Sequence, residues 1–356
     1  MRKKLKIFLW ISILPHWLFI EYIKSKPLMV EEFYSQKIYP LIYKTYSFFF
    51  DKIPFSIGDI IYLIVIFLML RQIVKFFRDH RYTFFKLIFD VGSILSAIII
   101  IFNFSWGINY YRLPLHEKLN IKTEYTEKDL EEKIDFLIDH VNEIHLSIAN
   151  NDSVPLKLET REKNSLKKNV HGYNKFSSSE IFKNSIRKQS LWSTALSYMG
   201  FSGYINPFTL EGQINSKTPY LNFVISDIHE SAHQMGYASE KEANFIAYFF
   251  SYINPDPYVK YASLIFAIRH CNSALYKIDQ EKAREKIKRL NYGIIEDIKN
   301  VDSFWQKYKN PFQPFFKKSY DKFLKVNSQG EGIKSYSEVV GLIINYKLMN
   351  ICLISC

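Results

Sequence analysis

Three long apolar segments near the amino end constrain the fold of this chain more than any other feature. They cover about residues 7–23, 53–70 and 84–108, and the second has an apolar centre from Ile60 to Leu70. A membrane core about 30 Å thick needs roughly 20 apolar residues in a helix, so all three are candidate spans. The first is short, because its apolar run ends at Ile20. No small-x-small cleavage site follows it, so we predict an uncleaved span rather than a secretory signal.

Basic residues in the short loops predict the orientation of these spans. Lys and Arg are concentrated in residues 1–6 and in the loop 71–86, whereas the loop 24–52 is more dilute and contains acidic residues. The positive-inside rule then places the amino end and the loop 71–86 in the cytoplasm. We therefore expect a protein integral to the cytoplasmic membrane, with a membrane region over residues 1–108 and an extracytoplasmic domain over residues 109–356.

The net charge of +12 does not by itself indicate the partner of the chain. A basic chain can bind nucleic acid, but here the charges are mostly Lys scattered among Asn, Ile and Tyr, and no nucleic-acid motif is present. We expect a solvated basic surface near the lipid bilayer and no nucleic-acid partner. Arg112, just after the third span, is expected to extend to the lipid headgroups. Cys271, Cys352 and Cys356 do not form an even disulfide framework.

The chain beyond the third span has mostly helical patterning. Thr126-x-x-Asp129 precedes an apolar stripe that begins at Leu130, which predicts a capped amphipathic helix. His140 and His145 are expected on the polar side of this helix. A second helix is predicted from Phe176 to about Met199. Glycines and a proline then interrupt the chain, and residues 204–215 are expected to form short strands or a hairpin, so the predicted fold class is mostly α with a small β hairpin or sheet.

The stretch Asp227–Asn244 contains His229-Glu230-x-x-His233. Residues four apart lie on one face of a helix, with Cβ atoms about 5–6 Å apart. This spacing suits two imidazole nitrogens that bind one zinc ion at about 2.0–2.1 Å. Glu230, one residue on, points aside from the metal towards the place of a bound water, so Glu230 is the candidate general base.

Two carboxylates compete for the role of third ligand. Gly236 is expected to end the first helix in a left-handed turn, and Ser239 to cap a second helix that starts at Glu240. Glu240 is favoured, because its face of the second helix carries small side chains that permit close approach. Glu242 stays the alternative, although Ser239-x-x-Glu242 also matches a capping box. Asn244, one turn after Glu240, is expected to hydrogen-bond a ligand histidine.

This two-His-one-Glu pattern, with Glu240-x-x-Ala-Asn244 on a following helix, resembles the gluzincin branch of the zinc metallopeptidases. In that branch a Glu on a second helix completes the zinc site. The linker from His233 to Glu240 is shorter here than in most such enzymes. Gly236 is similar to the metzincin pattern, but the metzincin third-ligand position is occupied by Ser239, which cannot serve comparably.

Nearly the whole chain is also similar to an uncharacterised family of bacterial membrane proteins with three membrane helices and a zincin-like domain. The shared elements, besides the metal motif, are Asn109–Arg112, Asn206–Asn215 and Ser335–Val340. The resemblance implies a mostly α zincin-like domain over residues 109–356. It leaves the substrate of the chain open.

Together these patterns lead to the expectation of a membrane-anchored zinc metallopeptidase that acts on a peptide or protein in the cell envelope. The alternative is an envelope protein that binds metal without catalysis and has a structural or regulatory role. In zincins a later His, Arg or Tyr often stabilises the oxyanion at the scissile carbonyl. His270 and Arg269 are candidates for this role, and a surface position is the alternative for each.

Overall fold

The structure, a computed structural model of the 356-residue chain, describes residues 3–158, 187–327 and 338–346. The chain divides into two compact units. One comprises Met1–Leu113 and Ile205–Glu211, and the other comprises Pro114–Tyr204 and Gly212–Cys356. The predicted helix opening at residues 176–186, the Ser335–Ser337 part of the last shared element and the two carboxy-terminal cysteines lie outside the described residues.

Helices form the first unit, and three of them are long and apolar enough to cross a membrane, as the sequence predicts. Their bounds differ by a few residues from the apolar segments. Helix α4 begins at Ile57, where the Ser56 hydroxyl accepts a hydrogen bond from the Asp59 N–H. It continues to Arg78, because basic residues extend a helix without breaking it. The helices are α1 (Lys3–Lys24), α2 (Pro27–Met29), a π-helix (Val30–Ile38), α3 (Tyr39–Phe50), α4 (Ile57–Arg78), α5 (Phe84–Ser105) and a 3₁₀ turn (Gly107–Tyr111).

The connection between the first two predicted spans is helical, and it carries a buried ion pair. The Arg112 guanidinium donates hydrogen bonds from Nε and Nη2 to the two oxygens of Glu31 at 2.8 and 3.0 Å. Arg112 is 6 % exposed, so the expectation that it reaches the lipid headgroups is wrong. A bidentate pair of this kind satisfies both charges at once, which permits their burial. The loop composition gave no sign of it, because the partner lies 81 residues away.

The segment Ile205–Glu211 belongs to this first unit. The Glu211 carboxylate accepts a hydrogen bond from the Gly58 N–H at 2.6 Å, at the amino end of α4. A carboxylate is favourable there, because the first N–H groups of a helix have no partner within the helix and carry partial positive charge. The Ser105 hydroxyl donates to the Pro207 carbonyl at 2.6 Å. The segment is therefore held at the ends of two apolar helices.

The second unit is built around a helix whose entire middle is buried. Phe245 to Phe250 are all 0 % exposed, so this helix, α10, lies inside the unit with other helices on all sides. The predicted helix after Thr126 is confirmed with its capping box, since the Thr126 and Asp129 side chains each bond the backbone N–H of the other. The helices are α6 (Leu115–Lys118), α7 (Glu127–Ala149), α8 (Ser193–Met199), α9 (Tyr220–Gln234), α10 (Glu240–Tyr252), α11 (Pro257–Ile278), α12 (Gln280–Lys288), α13 (Tyr292–Lys307), α14 (Gln313–Val326) and α15 (Val339–Asn345).

His145 on α7 is buried, which corrects the expectation that it lies on the polar side. Its Nε2 bonds the Val154 carbonyl at 3.0 Å, and its Nδ1 lies 3.2 Å from the Asn291 side-chain amide. The apolar stripe of α7 includes the neighbouring positions, and these two bonds satisfy the imidazole inside it. His145 is therefore a structural residue of the core.

A small sheet completes the fold class that the sequence predicts, mostly α with a small sheet. The strands are β1 (Arg187–Gln189), β2 (Gly203–Ile205) and β3 (Gly212–Ile214), in the order β1-β3-β2. β1 runs parallel to β3, with Arg187 opposite Gly212. The prediction of one helix up to Met199 is wrong over its described part, since β1 precedes the short helix α8. β1 forms because its backbone has a partner in β3, about 25 residues further along the chain.

Candidate metal centre

The turn after α9 positions the first part of the site. Gly236 has a φ of +83°, the left-handed conformation that favours glycine. The Gly236 N–H donates to the His233 carbonyl at 2.9 Å, and the Tyr237 N–H donates to the Ala232 carbonyl at 3.0 Å. This pair of bonds is the Schellman motif, which reverses the chain at the end of a helix. The reversal carries the Tyr237 carbonyl back to the last turn of α9.

That carbonyl fixes the orientation of His233. The His233 Nδ1 lies 2.7 Å from the Tyr237 oxygen. A carbonyl can only accept a hydrogen bond, so Nδ1 carries the hydrogen and the lone pair is on Nε2. The lone pair is directed to the same side as Glu240, whose Oε1 lies 3.7 Å from this Nε2. His233 thus has the tautomer that a metal ligand requires.

Helix α10 brings Glu240 to both histidines. The His229 Nε2 lies 3.2 Å from the Glu240 Oε2, and one ligand atom from each of His229, His233 and Glu240 can be chosen so that all lie within 4.8 Å of one another. Ligand bonds of about 2.0–2.1 Å at tetrahedral angles would place donor atoms about 3.3 Å apart. The two measured separations, 3.2 and 3.7 Å, lie close to that value.

Glu242, the other candidate for third ligand, has a different contact. Its Oε1 accepts a hydrogen bond at 2.6 Å from the N–H of Leu115, which is 1 % exposed. The predicted capping box between Ser239 and Glu242 is wrong, because the Ser239 side chain makes no capping hydrogen bond to α10. Ser239 occupies the position before the helix in an extended backbone conformation, but its side chain does not cap the helix. The structure therefore brings Glu240, and not Glu242, together with the two histidines.

Two further side chains contact the candidate ligands. Asn244, predicted for this role, lies beside His229 and contributes to the raised pKa of its imidazole. The Tyr320 hydroxyl on α14 donates to the Glu240 Oε1 at 2.6 Å. Sequence reasoning missed Tyr320, which lies 80 residues after Glu240 and in no motif. With the Tyr237 carbonyl on His233, two of the three candidate ligands have an outer hydrogen-bond partner, an arrangement that orients ligands at metal sites.

The charges of the three groups depend on one another. Burial alone would raise the pKa of Glu240, but His233, His229 and the Tyr320 hydroxyl together lower the pKa to about 2. Burial lowers the pKa of His233 to about 4. Burial also opposes the charged form of His229, yet the hydrogen bond and charge of Glu240 raise its pKa above 6.5. The cluster therefore holds a carboxylate that stays ionised among imidazoles, a strong electrostatic attraction for a cation.

Glu230 lies beside this cluster and is 3 % exposed. Burial, with the nearby carboxylates of Glu240 and Asp227, raises the pKa of Glu230 to about 8, although His229 opposes the shift. Its Oε2 has no hydrogen-bond partner among the residues that the structure describes. A buried carboxylate oxygen without a protein partner is costly, so the Glu230 Oε2 can accept a hydrogen bond from a water or ligand at this site.

A glycine of the sheet makes room for this carboxylate. A Cβ added to Gly203 would lie 2.7 Å from the Glu230 Oε1 and 2.8 Å from the Gln213 carbonyl oxygen. Gly212 is similarly close, with an added Cβ 3.2 Å from the Glu230 Cβ. Strands β2 and β3 can therefore lie against α9 only because both positions lack side chains.

The donor set fits a zinc ion. Two imidazoles, of which His233 presents a lone pair to the cluster, and one ionised carboxylate form the ligand set of many catalytic zinc sites, which leave a further position for water or substrate. Glu230, whose Oε2 has no hydrogen-bond partner among the described residues, lines the same cavity as His229.

This cavity has a volume of about 440 Å³ and opens beside the cluster. His229, Glu230 and Asn244 line one side of it, and Tyr320 also lines it. His270, a predicted oxyanion stabiliser, lines the same cavity, and burial with the nearby Arg269 charge lowers the pKa of its imidazole to about 4. A neutral His270 retains one N–H donor. Arg269 also lines the cavity and pairs with Asp302.

A model of a known protein family matches most of the chain. The model of a family described as "Protein of unknown function (DUF3810)" matches residues 34–344. Neither a curated protein nor a solved structure matches the chain. The matched range includes the candidate ligands, the residues that contact them and two of the three apolar helices.

Proposed function

This chain belongs to the DUF3810 family of proteins of unknown function, and we propose that it is a membrane-anchored, zinc-dependent metallopeptidase. One observation carries the proposal. His229, His233 and Glu240 converge from two helices, and the buried Glu230 lines the cavity that His229 also lines. A purely structural metal site encloses its ion with four protein ligands, whereas the described part of the chain brings three together here, beside a cavity.

The residues of the chain divide the chemical work between them. A zinc ion held by His229, His233 and Glu240 would supply Lewis acidity towards a water molecule and a peptide carbonyl. Glu230 accepts a proton from the attacking water and delivers it to the leaving amine. A bound cation nearby favours the ionised form of Glu230, which burial alone disfavours. The neutral His270 is a hydrogen-bond donor for the oxygen of the attacked carbonyl.

A pair of measurements on the full chain in lipid nanodiscs tests this proposal. We expect about one zinc ion per chain by elemental analysis, as for a catalytic zinc site, and cleavage of peptides from a mixed library. Glu230→Gln keeps the size of the side chain and removes the base, so this variant should retain zinc and lose cleavage by about 100-fold or more. A wild-type protein without zinc after zinc loading, or equal cleavage by the variant, would refute the peptidase proposal.

We propose further that the second unit acts on the outer side of the cytoplasmic membrane. The support is the charge distribution, because basic residues occupy the amino end and the last turn of α4. Single cysteines at His80 and at Asn151, in a chain whose own cysteines are replaced by serine, would report sidedness. In intact cells an impermeant maleimide should label Asn151→Cys and not His80→Cys. The reverse pattern would place the second unit in the cytoplasm.

A further inference from the structure

The walls of the cavity beside Glu230 are mostly apolar, whereas its edge at the candidate site carries polar and ionisable side chains. Apart from the candidate site, most of its surface consists of aliphatic and aromatic side chains contributed by three helices. Those on α9, α11 and α13 include Ile225, Ile265, Phe266, Ile298, Val301 and Trp305. Ile265 and Val301 are 4 % and 5 % exposed, so the apolar surface continues into the interior of the unit.

An ion pair ties two of these helices together. Arg269 on α11 lines the cavity, and its Nη2 donates to the Asp302 Oδ1 on α13 at 2.8 Å. Both side chains are about half exposed. Because the Arg269 charge has a partner there, the cavity wall on this side offers an incoming group little unpaired positive charge. Lys317 is the other cation at the cavity, and it is exposed to solvent.

We infer that this cavity binds a large apolar side chain of the substrate, of the size of Leu, Met or Phe, next to the bond that is cleaved. The inference rests on the proposed peptidase function and names its substrate class. The volume of about 440 Å³ lies within the range of about 300–1,000 Å³ that is typical of ligand sites. Apolar walls favour an apolar side chain, and they disfavour a charged one because burial against them costs the charge its hydration.

α13 is the element that sets this preference. Val301 and Trp305 are four residues apart and line the same cavity. A larger side chain at Val301 would occupy the space, and a smaller one at Trp305 would extend it. Changes at these two positions should therefore shift the preferred substrate side chain in opposite directions, which a purely structural role for α13 would not produce.

Direct binding tests the inference without depending on turnover. The probes are fluorescein-labelled hexapeptides that differ only at one central residue: Gly, Ala, Leu, Phe, Lys or Asp. Their affinity for the full-chain Glu230→Gln protein in nanodiscs is measured by fluorescence anisotropy, with and without zinc. We expect the Leu and Phe peptides to bind roughly 10-fold or more tightly than the Ala peptide.

Three variants in that protein check where the preference arises. Val301→Phe should weaken binding of the Phe peptide by about 10-fold and leave the Ala peptide nearly unchanged. Trp305→Ala should favour Phe over Leu more strongly than the parent protein does. Val326→Phe, at a position that is 76 % exposed on α14, is the matched control and should change neither. Tightest binding of the Asp or Lys peptide, or a Leu and Phe preference that both cavity variants leave unaltered, would overturn the inference.

The two proposals fail in different ways. Zinc binding and cleavage without any preference for apolar residues would leave the peptidase function in place and remove the proposed substrate class. Selective binding of Leu and Phe peptides by a wild-type protein that neither holds zinc nor cleaves peptides would support the apolar side-chain site and remove the peptidase function. Loss of the preference when a free fatty acid is added would indicate that the cavity takes an acyl chain, and would also overturn the inference.

Discussion

The Glu242 carboxylate accepts a hydrogen bond from the Leu115 N–H at 2.6 Å, inside the second unit. Glu240, two residues earlier, instead lies 3.2 Å from the His229 Nε2. Both glutamates are almost fully buried on the first turn of α10, so burial does not distinguish them. Their partners do, and the difference leads to opposite expectations for the two alanine variants.

Glu240→Ala should lower zinc affinity by more than about 100-fold. Loss of a residue that only hydrogen-bonds a metal ligand typically lowers metal affinity by about 10–100-fold, and this variant removes a ligand itself. Glu242→Ala should keep the zinc and destabilise the protein by about 1–3 kcal/mol, because the buried Leu115 N–H loses its acceptor. Elemental analysis and thermal unfolding of both full-chain variants separate these outcomes. Zinc loss in Glu242→Ala alone would reverse the ligand assignment.

Tyr320→Phe should weaken zinc binding by about 10–100-fold, because it removes the hydroxyl that orients the Glu240 carboxylate. Competition with a chromophoric chelator measures this affinity. Tyr276→Phe is the matched control, since Tyr276 is half exposed on α11 and contacts Arg284 instead. An unchanged affinity in Tyr320→Phe would mean that the hydroxyl does not help to orient Glu240 and that the Tyr320 ring serves in packing, for example against Phe201.

Gly203→Ala should reduce kcat and leave the zinc content unchanged. The new Cβ would stand 2.7 Å from the Glu230 Oε1 and 2.8 Å from the backbone oxygen of Gln213. The backbone of β3 is held by its partner strand, so Glu230 is the group that must move, and a displaced base transfers a proton less efficiently. Ser202→Ala, at the preceding residue, introduces no new atom and serves as the control. Full activity in Gly203→Ala would show that the position of Glu230 does not limit the reaction.

Arg187→Met should destabilise the protein by about 3–5 kcal/mol, because it leaves the Asp227 carboxylate buried without its guanidinium partner. Arg187 donates from Nε and Nη2 to the two oxygens of Asp227 at 3.0 and 2.8 Å, and both side chains are about 1 % exposed. The double variant Arg187→Met with Asp227→Leu should regain a large part of the loss in thermal unfolding. Additive losses would show that the two residues stabilise the fold independently.

His145 should make the second unit sensitive to acid. Burial lowers the pKa of the folded His145 below 6.5, against the smaller opposing effects of the Val154 carbonyl and Asp152. The unfolded chain then binds a proton that the folded chain does not, so stability falls as the pH decreases below about 6.5. His145→Gln should be less stable than the wild type at pH 8, and the difference should narrow at pH 5. Thermal unfolding at both pH values is the measurement, and an equal difference would contradict this origin.

The features that the sequence predicts correctly are those that depend on residues close together along the chain. The three apolar helices, the capping box at Thr126 and the left-handed turn at Gly236 depend on residues within a few positions of one another. Membrane-length apolar runs, side-chain caps and glycine turns are local properties, so the sequence alone reveals them. The close spacing of His229, Glu230 and His233 on one helix is of the same kind.

Long-range contacts are what the sequence could not determine. Glu31 and Arg112 are 81 residues apart, Leu115 and Glu242 are 127 apart, and Glu240 and Tyr320 are 80 apart. A glutamate on the first turn of a helix has the same local pattern whether it faces two histidines or a backbone N–H. Only the packing of α6, α9 and α14 around α10 decides which of these groups each carboxylate meets, because a buried polar group is costly unless the folded chain supplies a partner nearby.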